Sequence, residues 1–125
     1  MESSISVIKH IFRILSSDKT LNEMVGNKIF PIIAENDITF PFILVTRTSI
    51  TPITFKTGVA VDKVTFQVVI EDVDYFRTVN IAERVRELLE LRHSDYYFKR
   101  IEFSNCYEDF LNDAYKQTLQ FSGMI

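Results

Sequence analysis

The chain has 125 residues, room for one domain and too few for two ordinary ones. Its 46% apolar and 25% charged residues argue against wholesale disorder, and a formal net charge of −3 does not point to a general nucleic-acid binder, which needs a clustered basic surface. Three Gly and three Pro leave no glycine-rich phosphate cradle, and one cysteine, Cys106, excludes an internal disulfide or a multi-thiolate metal site.

The start, Met1-Glu2-Ser3-Ser4, lacks a basic region, and Lys9, His10 and Arg13 interrupt the first apolar stretch. That pattern fits neither a secretory signal nor a membrane span, which needs roughly 20 mostly apolar residues. Synthesis and folding in a reducing cytoplasm are the expectation.

Ile5, Ile8, Ile11, Phe12 and Leu15 recur at helical steps and predict an amphipathic helix over about 3–16, with Ser3 or Ser4 as its cap. Asp18 opens a short helical turn with Leu21, Met24 and Val25 inward, and Gly26 suits its left-handed stop. Residues 28–33 form a short apolar segment containing Pro31, hence an edge or irregular strand. A polar loop over 34–40 leads to a β-branched strand over 42–49.

Residues 50–62 are read as a connector of 13 residues, long for neighbouring strands, and it carries Ile50, Ile53, Phe55, Val59 and Val61 with only Lys56 and Asp62 charged. So apolar a loop must fold back on its own core or bury itself on another chain. Residues 63–71 then alternate cleanly, Val64, Phe66, Val68 and Ile70 against Thr65, Gln67, Val69 and Glu71. Asp72 or Asp74 caps a long helix from Tyr75 to about Leu91, whose buried stripe is Phe76, Val79, Ala82, Val85, Leu88 and Leu89. Arg92 and His93 suit its C-terminal dipole, and Ser94-Asp95 breaks it. A strand over 98–106, a turn region over 107–114 and an alternating strand over 115–122 complete the chain.

One long helix joins the third and fourth strands, and hairpin-length links join the rest. The fold class is therefore α+β. It is a mainly antiparallel sheet of four to five strands, with two helices packed on one face and a long protruding β-hairpin loop, in a single domain over 1–125. The other sheet face, with Thr, Gln and Lys, is left for water or a partner.

Candidate chemistry is thin. Glu71, Asp72 and Asp74 could hold a divalent metal in a small enzyme, but acids at a strand-to-helix corner are more simply helix caps. His10 and His93 lack ligands at metal spacing, and Cys106 lacks a motif that would make it a nucleophile. Glu108, Asp109, Asn112 and Asp113 read as turn chemistry. Arg84, Arg86, Arg92, Lys99 and Arg100 interleave with Glu83, Glu87 and Glu90. They read as a salt-laced solvated face or a subunit contact, with Arg86 and Glu90 at helix ion-pair spacing. No catalytic residue, cofactor or metal is assigned. The candidate interface is Ile50, Ile53, Phe55, Lys56, Val59 and Val61 with Arg84 and Arg86.

Several short pieces in order carry a resemblance. They are Leu21 to Pro31, Phe40-Pro41-Phe42-Ile43-Leu44-Val45, Asp72-Val73-Asp74-Tyr75 leading into Ile81 to Leu89, and Tyr115 to Phe121. Together, over roughly 5–122, they resemble the phage tail terminator and tail completion family, also called minor tail or head–tail joining proteins. The resemblance implies a non-enzymatic virion protein of the tail or neck, assembled in the host cytoplasm. It implies a ring, commonly of six copies, that ends the tail tube and meets a head-completion or connector protein, with no role for membrane or specific nucleic acid. A general adaptor in a cellular assembly, with the same fold outside a virus, is the remaining alternative.

Overall fold

The computed structural model describes residues 3–92 and 100–125. Helix α1 spans Ile8–Ser17 and α2 spans Lys19–Val25. Strands β1 (Ile29–Pro31), β2 (Phe42–Thr54) and β3 (Ala60–Asp72) follow, then α3 (Tyr75–Leu89), β4 (Ile101–Leu111) and β5 (Ala114–Met124). The fold is α+β, with three helices and one five-stranded sheet of order β1-β2-β3-β5-β4.

Three of the four strand pairings are antiparallel, and β1 runs parallel to β2, so the sheet is mixed. Parallel pairing follows from the intervening loop over 32–41, which carries the chain back to β1's starting end before β2 begins. The expected pair of helices becomes three. The turn at Asp18 grows into a full α2, because its carboxylate accepts the Leu21 N–H at 2.8 Å and Gly26 closes the helix at φ 61°.

Other boundaries also differ from the sequence reading. Helix α1 starts at Ile8, and Ser3 instead pairs with Ser6 in a preceding turn, while Ser4 reaches Asp62. Strand β4 runs to Leu111, so residues 107–111 are strand and only Asn112 and Asp113 turn the chain, both at positive φ. Two left-handed residues in succession make the tight hairpin whose twist matches the sheet. The expectations placed on His93, Ser94-Asp95, Phe98 and Lys99 lie outside the described residues.

All three helices cover one face of the sheet. Ile11, Leu15, Leu21, Ile81, Val85 and Leu89 from the helices meet Ile43, Val45, Phe66, Val68, Ile70, Leu119 and Phe121 from the strands. Phe66 and Phe121 stack across β3 and β5 at 5.4 Å, and Phe103 of β4 meets Phe121 edge-on at 5.5 Å. Two β-bulges flank this row, at Thr48 in β2 and Ser104 in β4. Each inserts one residue and so reverses which face the following side chains occupy.

Candidate functional site

The bulge at Thr48 decides what the β2–β3 hairpin presents. Before it, Ile43 and Val45 face the helices beside Ile70 and Val68. After it, Ile50 takes that inward position opposite Val64 and packs on the chain's own core. Ile53 is three further on and therefore points the other way. It pairs with Val61, and Phe55 closes on Val59 through an N–H···O bond of 2.9 Å. Ile53, Phe55, Val59 and Val61 thus share one face of the hairpin, the face remote from the helices. Most of the expected connector over 50–62 is strand, because Thr and Ile at 50–54 continue the ladder and the Lys56-Thr57-Gly58 turn alone reverses the chain. Gly58, at φ 86°, supplies the left-handed residue that such a three-residue turn requires.

The hairpin is anchored at Asp62. Its backbone exchanges bonds with Ile125, and its side chain accepts from Ser4. Arg47 donates to the Ile5 carbonyl one step lower. Strand β5 pairs with β3 as far as Met124 and Lys63, and past Asp62 the described residues of β2 and β3 pair with each other as a two-stranded arm. Its three pairs, 53–61, 54–60 and 55–59, extend about 10 Å. Phe55 is 47% and Val59 56% exposed, with Lys56 between them at the tip.

Arg84 and Arg86 are committed within the chain. Arg84 grips Asp18 through two bonds of 2.6 and 2.9 Å and reaches Glu87 at 3.0 Å, tying α3 to the cap of α2. The Arg84 hydrogen bonds, more than any other influence, hold Asp18 below the usual carboxylate range. Arg86 pairs with Glu90 at 2.6 and 3.2 Å, at the spacing seen in the sequence, and its guanidinium lies 4.1 Å over the Phe103 ring. Both tie elements of one subunit together and stand apart from the arm.

The acids at the strand-to-helix corner separate. Asp74 caps α3, accepting from the Arg77 N–H at 3.2 Å. Asp72 is fully buried and grips the Arg77 guanidinium through both oxygens, while also accepting the Val73 N–H at 2.7 Å. Burial alone would raise the Asp72 carboxyl, but the Arg77 pairing and the backbone N–H groups hold it low. Glu71 stands opposite Lys116 in the β3–β5 register. Among the described residues no group of three His, Cys, Asp or Glu side chains could hold a metal ion. No helix there is long and apolar enough to cross a membrane.

A groove missed at the level of sequence lies between α3 and the β4–β5 hairpin. Tyr75, Val79, Ala82, Phe103 and Leu119 line its apolar walls, and its volume is about 300 Å³. Cys106, an exposed residue, also lines it, and partial burial of its thiol pushes the pKa up. Glu83 and Glu108 stand at its margin. One oxygen of Glu108 accepts from Tyr75 at 2.8 Å and Gln117 at 2.9 Å, which holds the carboxyl below its ordinary range. Its other oxygen accepts nothing, and no cation pairs with it, among the described residues. The groove continues into a run of ring contacts, Phe76–Tyr75–Tyr115–Phe110, at 5.4, 5.4 and 4.8 Å. Phe76 and Phe110 leave more than half their surface open.

No protein-family model matches this chain, and no curated protein matches it. Solved structures do. A chain from the virion of a native gene transfer agent (GTA) particle superposes with a TM-score of 0.77, covering 91% of this chain and 90% of that one at 15% identity. At that identity the two share a fold.

Proposed function

We propose that this protein is a structural component of a phage-like virion. In finer detail, it forms a ring, commonly of six copies, that terminates the tail tube and joins it to the neck. The observation that carries the reading is the arm. Four apolar side chains share the outer face of an arm about 10 Å long, Phe55 and Val59 exposed and Ile53 and Val61 half-buried, on the side away from the described helices. Burial on another subunit is the physical outcome that such a surface favours. The likeness in fold to a chain of a gene transfer agent virion supports the virion setting, and the ordered sequence pieces support the tail end of it.

Mechanistically, a ring built on this contact caps an open polymer. One face copies the docking surface of a tube subunit, and the other lacks it, so polymerisation stops and a head-completion or connector protein meets the new surface. The contact is heterologous, arm of one copy against a different surface of the next, and closes when the rotation per subunit divides the circle. Such a protein works in the host cytoplasm during assembly and ends in the virion.

The test is the mass of the free protein by native mass spectrometry, together with its co-sedimentation with purified tail tubes and connectors. A closed oligomer, alone or on the tube end, is expected. A chain that stays monomeric and binds neither tube nor connector overturns the reading.

A further inference from the structure

We infer that the groove between α3 and β4 receives the arm of a second copy of this chain, with Phe55 and Val59 against its apolar walls and Lys56 beside Glu83 and Glu108. This rests on the ring reading above and names the surface that the arm meets.

Four observations carry it. First, Lys56 is the only charged residue from 50 to 61, so the arm is an apolar face with one cation at its tip. Second, the groove is the complement, apolar walls with two carboxylates at the margin. Arg86 also lines it, but that guanidinium is taken by Glu90 and turned over Phe103. Third, Glu108 is held in place by Tyr75 and Gln117, two neutral donors, with an oxygen left over. A carboxylate fixed this way, with no cation paired to it among the described residues, presents an acceptor for an incoming ammonium. Fourth, about 300 Å³ is room enough for the Phe55 ring with the Val59 side chain, at the small end of pocket sizes.

The arm cannot fill its own groove. Strand β3 is paired with β5 up to Lys63 and locked at Asp62, and the arm continues outward from there, while the groove lies several residues back along β5. Contact is therefore between copies. Of the other adjacent exposed apolar pairs, Ile32 and Ile33 are followed by Glu35 and Asp37, of the same sign as the groove margin, and Phe110 and Leu111 belong to the groove's own β4–β5 hairpin, so the arm is the occupant.

The chain offers its own probe, because Cys106 is its single cysteine and lines the groove. Thr57→Cys places a second thiol at the arm tip. Treating that variant with a short bismaleimide should give a ladder of dimers, trimers and higher species, since each copy then donates one arm and offers one groove. The unmodified chain should give no ladder. A product that stops at the dimer, joined groove thiol to groove thiol or arm thiol to arm thiol, overturns the proposal, because the surfaces would then meet their own kind.

The charge pairing is tested by Lys56→Glu and Glu83→Lys, two substitutions at exposed positions. Each should weaken self-association roughly tenfold, and the double variant should recover most of the loss. Phe55→Ala should weaken it by roughly 30-fold or more, as removal of an aromatic anchor does. Additive losses in the double charge variant overturn the pairing. A closed oligomer with no arm-to-groove ladder overturns this contact and leaves the ring reading standing. A chain monomeric both alone and on tubes overturns both.

Discussion

The β2–β3 ladder is one continuous hydrogen-bonded structure with two very different halves. In the base, Ile43, Val45, Phe66, Val68 and Ile70 lie beneath the helices and are at most 1% exposed. In the arm, the same pairing continues through Ile53–Val61 and Thr54–Ala60, and its apolar face is left largely open, with Phe55 and Val59 exposed and Ile53 and Val61 half-buried. Backbone bonds are alike in both, so they do not separate the halves. Burial does, and burial is where folding free energy comes from. The base makes the subunit stable, and the arm is carried by that stability. Substitutions should therefore divide by location.

The largest effect belongs to the base. Phe66→Ala removes the ring stacked on Phe121 in the middle of the core, and should cost about 3–5 kcal/mol in chemical denaturation. A loss below about 1 kcal/mol would break the contrast, since it would mean that the buried half contributes no more than the exposed one.

Next comes the corner where β3 leaves the sheet. Arg77→Gln leaves the buried Asp72 carboxylate without its main partner and should cost roughly 1–3 kcal/mol at neutral pH. The pH dependence sharpens this. Asp72 and Asp18 both have folded pKa values below their ordinary ones, so the unfolded chain takes up protons first as pH falls. Their contribution is complete above about pH 4–5 and is lost on acidification through the folded values. Unfolding midpoints measured from about pH 6 to about pH 3 should fall, and the fall should be shallower in Arg77→Gln.

Much of this division is legible in the sequence, and the missing part has one cause. Alternation over 63–71 marks β3, and Asp18, Asp74 and Gly26 mark helix ends, because those signals are local. The bulges at Thr48 and Ser104 are properties of paired strands, and nothing within either strand announces them. Without the first bulge, Ile53 and Phe55 cannot be assigned to the open face. A strand ending at Cys106 falls short of the true β4 because Glu108 and Asp109 resemble turn residues, although Asn112-Asp113 alone satisfies a two-residue hairpin pairing Leu111 with Ala114. The groove is out of reach for a similar reason. Tyr75, Glu83, Cys106 and Gln117 come from three elements and meet only through the order β3-β5-β4. Arg84 and Arg86 are visible as charges, but Asp18 as the partner of Arg84 lies 66 residues away.

At the arm tip, Gly58→Ala probes the turn. No atom lies within 4 Å of the added methyl, so the cost is the left-handed backbone alone, about 1 kcal/mol. That cost should stay in the arm. Amide exchange at Phe55 and Gly58, whose N–H groups close the turn, should quicken roughly fivefold, while the global unfolding midpoint stays put.

The smallest effect on stability is the most telling. Phe55→Ala removes a large apolar side chain, yet no core residue of the subunit packs on it. Its cost in denaturation should stay within about 0.5 kcal/mol, the range of surface substitutions. Truncating a buried Phe would cost several times that. If Phe55 is kept for a neighbouring copy, Phe55→Ala should leave the folded monomer intact and weaken assembly in the same preparation, read by native mass spectrometry across a dilution series. A loss of more than about 2 kcal/mol in the monomer would place Phe55 in its own core, and the arm would then be an extension of the base rather than a second, outward-facing region.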